Sequence, residues 1–413
     1  FFQATHMIAA IERVTGVKWQ AQGPAFLVAG GHGATHWIMA TIYVLLPFIR
    51  EDLGLSYTEV GSLITIFHAA AFAANVGSGA VVDITGRRVL TQVASLLIGG
   101  AALALVGLAQ GVWLLAALVV FIGLTNNLWH PAAIAYLSKA YPGSRGYALS
   151  IHTLGASIGD TVSPLIAGVL LLWLPWQGAA SANALPVFAV AVALFAVLGR
   201  HEKAERSSAN TDAAGLGFRA YLMGVTGLFK DRAVVGLCVM AGFRSMCQNG
   251  LLIYVPMLLK NVFGFGPVLL GAALTAMQVG GMIAGPVAGT FSDKMGRRPV
   301  VLGGLAATTL VVLAITIIDA PAVVIAVLAL LGCALFAVRP VIHGWAMDLT
   351  PDHMHGSAVS LLFGTQSAFS MIVPLAGGMI ADIWGVGAVF YALAAAMFMA
   401  VVMAYLLPDS RPD

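Results

Sequence analysis

GSGAVVDITGRR, residues 77–88, decides the fold once it is set beside GTFSDKMGRR, residues 289–298. Asp83-Ile-Thr-Gly-Arg-Arg88 recurs as Asp293-Lys-Met-Gly-Arg-Arg298, an offset of about 210 residues. Gly54 with Gly264, Gly61 with Gly271, Gly146 with Gly356, Pro164 with Pro374 and Gly168 with Gly378 keep that offset, and Pro131 with Pro340 keeps it within one residue. Shared helix punctuation along both halves marks a tandem duplication, whose copies should pack about a pseudo-two-fold axis along a membrane normal. Each motif has a local reading too. Glycine ends a helix in a tight turn, and the Asp and Arg groups are available for charge-assisted hydrogen bonds that latch neighbouring helices.

The surrounding composition is that of a membrane protein. The 413 residues are 60% hydrophobic and 9% charged, with mean hydropathy +0.94, against roughly 45–50% apolar and about 25% charged residues in soluble domains. Apolar stretches long enough to cross about 30 Å of hydrocarbon as helices occur at 24–49, 57–82, 89–109, 112–138, 145–173, 179–199, 232–259, 267–291, 299–318, 321–348, 356–381 and 386–407. A transmembrane barrel would instead alternate apolar and polar residues in segments of about ten, which these stretches do not. The fold class expected is therefore all-α, with twelve transmembrane helices in two six-helix bundles.

The longest polar stretch, Arg200 to Lys230, divides the helices six and six. The expected organisation is an interfacial segment at 1–23, a bundle at 24–199, a cytoplasmic linker at 200–231, a second bundle at 232–407 and a tail at 408–413. Glu12, Arg13 and Lys18 interrupt the first segment, so it does not read as a secretory signal; Met7 to Val17 reads as a short interfacial helix. Of the 20 Lys and Arg, all but Arg50, Lys260, Arg244 and Arg339 fall in one set of alternating loops and the termini. By the positive-inside rule both termini are expected on the cytoplasmic side of the cell's inner (plasma) membrane. The net charge of +3 is accounted for by this topogenic bias, and a nucleic-acid partner has no support. Cys238, Cys247 and Cys333 lie within apolar stretches without metal-like spacing and read as small fillers.

With these motifs in view, the chain resembles the major facilitator superfamily, whose signature loop Gly-x-x-x-Asp-x-x-Gly-Arg-Arg is matched at Gly79, Asp83, Gly86, Arg87 and Arg88, and again at Gly289, Asp293, Gly296, Arg297 and Arg298. The resemblance implies a conformational latch at both places and a cavity lined by the first, fourth, seventh and tenth helices. Within the superfamily, residues 123–168 resemble the fosmidomycin-resistance branch of efflux proteins through His130-Pro131, Arg145-Gly146 and the Gly155/Gly159/Pro164 pattern. Asn126, Asn127 and His130 stand where drug:proton antiporters commonly carry a basic residue before a Gln-Gly pair.

Charged groups within a bilayer are costly, so those that persist point to a cavity. His32 and His36 share a helix face at i,i+4, with Tyr43 one heptad beyond His36. The fourth stretch carries Asn127 and His130; the seventh carries Arg244 and Gln248, and the tenth Arg339 and His343, both again at i,i+4. Two intramembrane guanidiniums with hardly a carboxylate beside them make a cationic site, suited to a phosphate, phosphonate or carboxylate held by bidentate hydrogen bonds. Histidine titrates near neutral pH, so His32, His36, His130, His152 and His343 are candidates for proton coupling, with Asp160 the one deep carboxylate. Gly155, Gly159 and Pro164 allow the fifth helix to bend or to pack closely. Trp129, Phe243 and Tyr254 are candidates for an apolar wall, and His68 with Gln278 for helix ties.

The function expected is secondary active transport of a small organic or phosphate-like anion by alternating access, proton-coupled as antiport or symport and in the efflux direction by resemblance. The alternatives are a transition-metal transporter using the metal-ligand spacing of His32 and His36, or a membrane receptor without flux. No Gly-x-x-x-x-Gly-Lys-Ser/Thr phosphate loop is present, so neither an enzyme nor an ATP-driven pump is expected. No cofactor and no resident metal are expected, the protein acting as a monomer in the lipid bilayer.

Overall fold

The computed structural model describes residues 12–13, 15–206, 231–318, 320–351 and 354–408. Side chains are described along these segments except at 76, 77, 79, 80, 83, 84, 200–206, 321 and 355–357. Twelve α-helices follow one another: α1 Gly23–Asp52, α2 Tyr57–Thr85, α3 Arg88–Val106, α4 Val112–Ala140, α5 Arg145–Leu170, α6 Trp176–Arg206, α7 Arg232–Asn261, α8 Pro267–Met295, α9 Arg297–Ile315, α10 Pro321–Asp348, α11 His355–Trp384 and α12 Val386–Leu406. No strand occurs among the described residues. Among the described residues, ten of the helices have the length and apolarity of a membrane span on their own. The other two, α2 and α7, pack within the same bundles, α7 with Arg244, Gln248 and Asn249 along its length.

Local signals fix the ends. Ser56 and Glu59 form a reciprocal capping box at the start of α2, and Asp231 accepts from the amides of Ala233 and Val234 at the start of α7. Repeat-related glycines take positive φ in pairs, Gly54 (62°) with Gly264 (69°) and Gly86 (60°) with Gly296 (91°), where a side chain would be strained. One end differs from expectation. α6 runs past Gly199 to Arg206, and residues 207–230 of the expected linker lie outside the described residues, as do residues 1–11 of the interfacial segment.

The packing repeats as the sequence does. In the first half α1 packs on α5 and α6, α2 on α4, and α3 on α4 and α6; in the second, α7 packs on α11 and α12, α8 on α10, and α9 on α10 and α12. The halves meet through α2 with α11, α5 with α8, and α1 with α7. These pairings map onto themselves when the halves are exchanged, which is the pseudo-two-fold.

The described contacts between the halves gather at the end holding the 53–56 and 262–266 turns. A Cβ on Gly61 would lie 2.1 Å from the Pro374 carbonyl oxygen, and its repeat mate Gly271 stands the same way, 2.3 Å, to that of Pro164. Gly168 approaches the Pro267 carbonyl and Gly378 that of Tyr57, each with 2.4 Å for such a Cβ. Only glycine admits backbones this close. Around them Asp382 accepts from the amides of Tyr57 and Thr58 at 2.8 Å, Thr65 donates to the Met371 carbonyl, Thr275 to that of Thr161, and Lys260 pairs with Glu51. The molecule is shut at this end.

Candidate functional site

Four imidazoles and one carboxylate converge in the first half. α1 contributes His32 and His36 one turn apart, α4 contributes His130, and α5 contributes His152 and Asp160. They meet because α1 and α5 pack backbone to backbone: a Cβ on Gly155 would lie 2.0 Å from the Ala29 carbonyl oxygen, one on Gly159 2.2 Å from that of Gly33. α5 runs unbroken through Pro164, so Gly155 and Gly159 serve close packing, while Pro164 supplies a carbonyl to the contact with α8. His32 Nδ1 donates to the His152 carbonyl at 2.8 Å, and its Nε2 is 3.2 Å from His130 Nε2. His130 Nδ1 donates to the Asn126 carbonyl at 3.0 Å. His36 Nδ1 is 2.9 Å from Asp160 Oδ2. The His152 ring stacks on His32, centroids 3.8 Å apart, and its Nε2 accepts from Trp129 Nε1 at 3.3 Å.

The second half answers with guanidiniums. Arg244 of α7 is buried, 3% exposed, and one Nη donates to the Leu335 carbonyl of α10 at 2.8 Å. Its Nε is buried with no partner, as are Gln248 Oε1, His343 Nε2 and Trp345 Nε1. Arg339 is exposed, although it lies close enough to Arg244, His343, Asp160 and His130 to interact electrostatically with each. It therefore borders the gap between the halves and links the two polar clusters.

Other expected residues make contacts of their own. Asn127 donates to the Ala71 carbonyl at 2.7 Å, tying α4 to α2. Tyr43 is buried and within electrostatic range of Asp160. Tyr254, in place of an apolar wall, donates to the Pro374 carbonyl and receives Gly377 against its ring. Trp129 is fully buried and acts as the donor to His152, while Phe243 packs edge-on against Phe369. His68 Nε2 is buried without a hydrogen-bond partner. In the second copy of the Gly-Arg-Arg motif Arg297 bonds Asp293, Ser292 and Asp348, joining α8 and α9 to α10, and Arg298 reaches the Tyr405 carbonyl of α12. Gly289 lies in α8 just before this turn. In the first copy the side chain of Asp83 and the surroundings of Gly79 lie outside the described residues; Arg87 is exposed and Arg88 half-buried.

The model of the Major Facilitator Superfamily matches residues 28–282 and 237–413. The chain belongs to that superfamily. A putative metabolite transport protein of Haemophilus influenzae is 29% identical over 284 residues, 66% of this chain and 67% of the relative. The fosmidomycin resistance protein of Escherichia coli is 23% identical over 393 residues, 92% of this chain and 91% of its own. Among solved structures, a bacterial homologue of the human lysosomal transporter Spinster, inward-facing and unoccupied, superposes with TM-score 0.77 at 16% identity, over 95% of this chain and 96% of its own. The protein is thus a multi-pass membrane transporter, and members of its superfamily are transporters of small molecules rather than enzymes.

Proposed function

We propose that this transporter carries a small anion of the phosphate, phosphonate or carboxylate class across a bacterial inner membrane, coupled to protons through the His–Asp cluster. One observation carries the reading. Arg244 is buried with a single carbonyl contact, its Nε unpartnered, and a second guanidinium rather than a carboxylate beside it. Two cations within electrostatic reach of each other, one with an unpartnered Nε, are satisfied by an anion that accepts from both. The positive-inside rule supports a cytoplasmic location for the basic ends of the helices, and on that reading the conformer with its Glu51 end shut opens inward. The Escherichia coli relative's name supplies a first ligand to try, fosmidomycin, together with methylphosphonate and inorganic phosphate.

His32, His36 and His130 offer ring nitrogens within 4.8 Å of one another, a geometry a metal ion would find usable. The positive charge of Arg339 within electrostatic reach of His130 argues against a dication as cargo. Thermal-shift and calorimetric titration of the purified protein with the three anions and with zinc chloride tests the reading. Stabilisation by an anion, lost in Arg244→Ala, is expected; binding of zinc alone, insensitive to both arginines, would overturn it.

A further inference from the structure

Two imidazoles of the cluster, His32 and His130, face each other with the same kind of atom. His32 Nδ1 is committed to the His152 carbonyl and His130 Nδ1 to the Asn126 carbonyl. A carbonyl oxygen only accepts, so both Nδ1 atoms carry their hydrogens. A neutral imidazole carries one N–H, and each Nε2 is then a bare lone pair; the two lone pairs stand 3.2 Å apart. That separation is a hydrogen-bond distance and needs a hydrogen between the nitrogens. Turning either ring to supply one would break a bond to a carbonyl within the bundle, where leaving the group unpaired is costly.

We propose that His32 and His130 hold one proton jointly, as an imidazolium hydrogen-bonded to an imidazole, and that this proton ties α1 to α4 in the conformer shut at the Glu51 end. The proposal rests on the proton-coupled reading for its role in transport and deepens it by naming where the proton sits. Proton uptake turns two opposed lone pairs into one N–H···N bond; proton release restores two lone pairs at contact distance, which the helices relieve by moving apart. The titratable and charged groups facing the pair come from α1, α5 and α10. On α1, His36 is engaged with Asp160 through Nδ1. On α5, His152 stacks on His32 and keeps its Nε2 lone pair for Trp129 of α4. Asp160 of α5 and Arg339 of α10, which interact electrostatically with each other, bring one negative and one positive charge. His152 thus supplies the acceptor that orients His32, and His36 with Asp160 forms the next site to which the proton can pass.

Full-length protein with 15N-labelled histidine, held in lipid nanodiscs and followed by NMR across a pH series, tests this without a ligand or any flux. A 15N–15N coupling between two imidazoles is expected at acidic pH. It should vanish in a single step, both rings changing together, as the pH rises. Both His32→Phe and His130→Phe should lack the coupling, and His36→Phe should keep it, so a folding defect in one variant does not decide the matter. Two rings titrating independently with no coupling at any pH would overturn the proposal. So would a stoichiometric metal ion in the purified protein that His130→Phe loses, since a metal would then fill the space between the nitrogens. A separate assay in liposomes addresses the wider reading: flux indifferent to a pH gradient, with the coupling present, would remove the proton from the transport cycle and leave the shared site standing.

Discussion

At the scale of single residues, the anion reading makes Arg244 the most informative position. Its planar fork presents several donors to one ligand, so Arg244→Lys, which keeps the charge, should weaken anion binding roughly tenfold; Arg244→Ala should do so by about a hundredfold, the range of about 1.5–3 kcal/mol for a charge-assisted contact. Isothermal titration with methylphosphonate measures both. Asp160→Asn removes the carboxylate charge beside His36 Nδ1 and should abolish pH-gradient-driven uptake into liposomes while equilibrium anion binding changes no more than a few-fold. Helical spacing makes the pairs His32/His36, Arg244/Gln248 and Arg339/His343 legible in the sequence, because i,i+4 is a property of one element. The meeting of His130 and His152 with His32 is not legible in that way, since it depends on how three helices pack. Trp129 was out of reach for the same reason: its indole N–H has a role only once α5 places His152 opposite it, and by composition it reads as apolar wall.

At the scale of elements, the α1–α5 contact is set by absent side chains. Gly155→Val would push a Cβ and two methyls into the Ala29 carbonyl, where even the Cβ has 2.0 Å; a loss of about 1–3 kcal/mol or more is expected from such overpacking. Gly146→Ala, on the same helix with open space around it, should stay within about 0.5 kcal/mol. Thermal unfolding of the two variants in detergent measures the contrast. The twelve spans and the repeat were readable because hydrocarbon imposes length and apolarity on each helix separately. α6 shows the limit of that signal. Hydropathy falls after Gly199 where the chain leaves the apolar region, yet Arg-His-Glu-Lys-Ala-Glu-Arg is dominated by good helix formers, and the helix continues to Arg206. Polarity reports the solvent around a helix and not its end.

At the scale of the whole molecule, the shut end and the two polar clusters have separate consequences. Glu51→Cys with Lys260→Cys places thiols where an ion pair now joins the halves. A cleavable thiol cross-linker between them should stop uptake in liposomes, and its cleavage should restore uptake. Protonation of the histidine cluster adds positive charge within reach of the anion site through Arg339, so proton and anion should each strengthen the other's binding, by the same factor. Calorimetry of methylphosphonate binding at a series of pH values, corrected for the ligand's own titration, should show net proton uptake by the protein; net release would place the two in opposite half-cycles, as exchange requires. The Asp382 contact gives the shut end a further character. Its carboxylate holds the first two amides of α2, while Ser56 and Glu59 satisfy the helix start independently. α2 thus resembles a receptor already formed, and α11 carries its ligand on a tether. Departure of that ligand leaves no helix to unravel, only amides for water to occupy, and its return is an intramolecular rebinding at millimolar or higher effective concentration. Free carboxylates in the medium at that end are poor competitors on such terms.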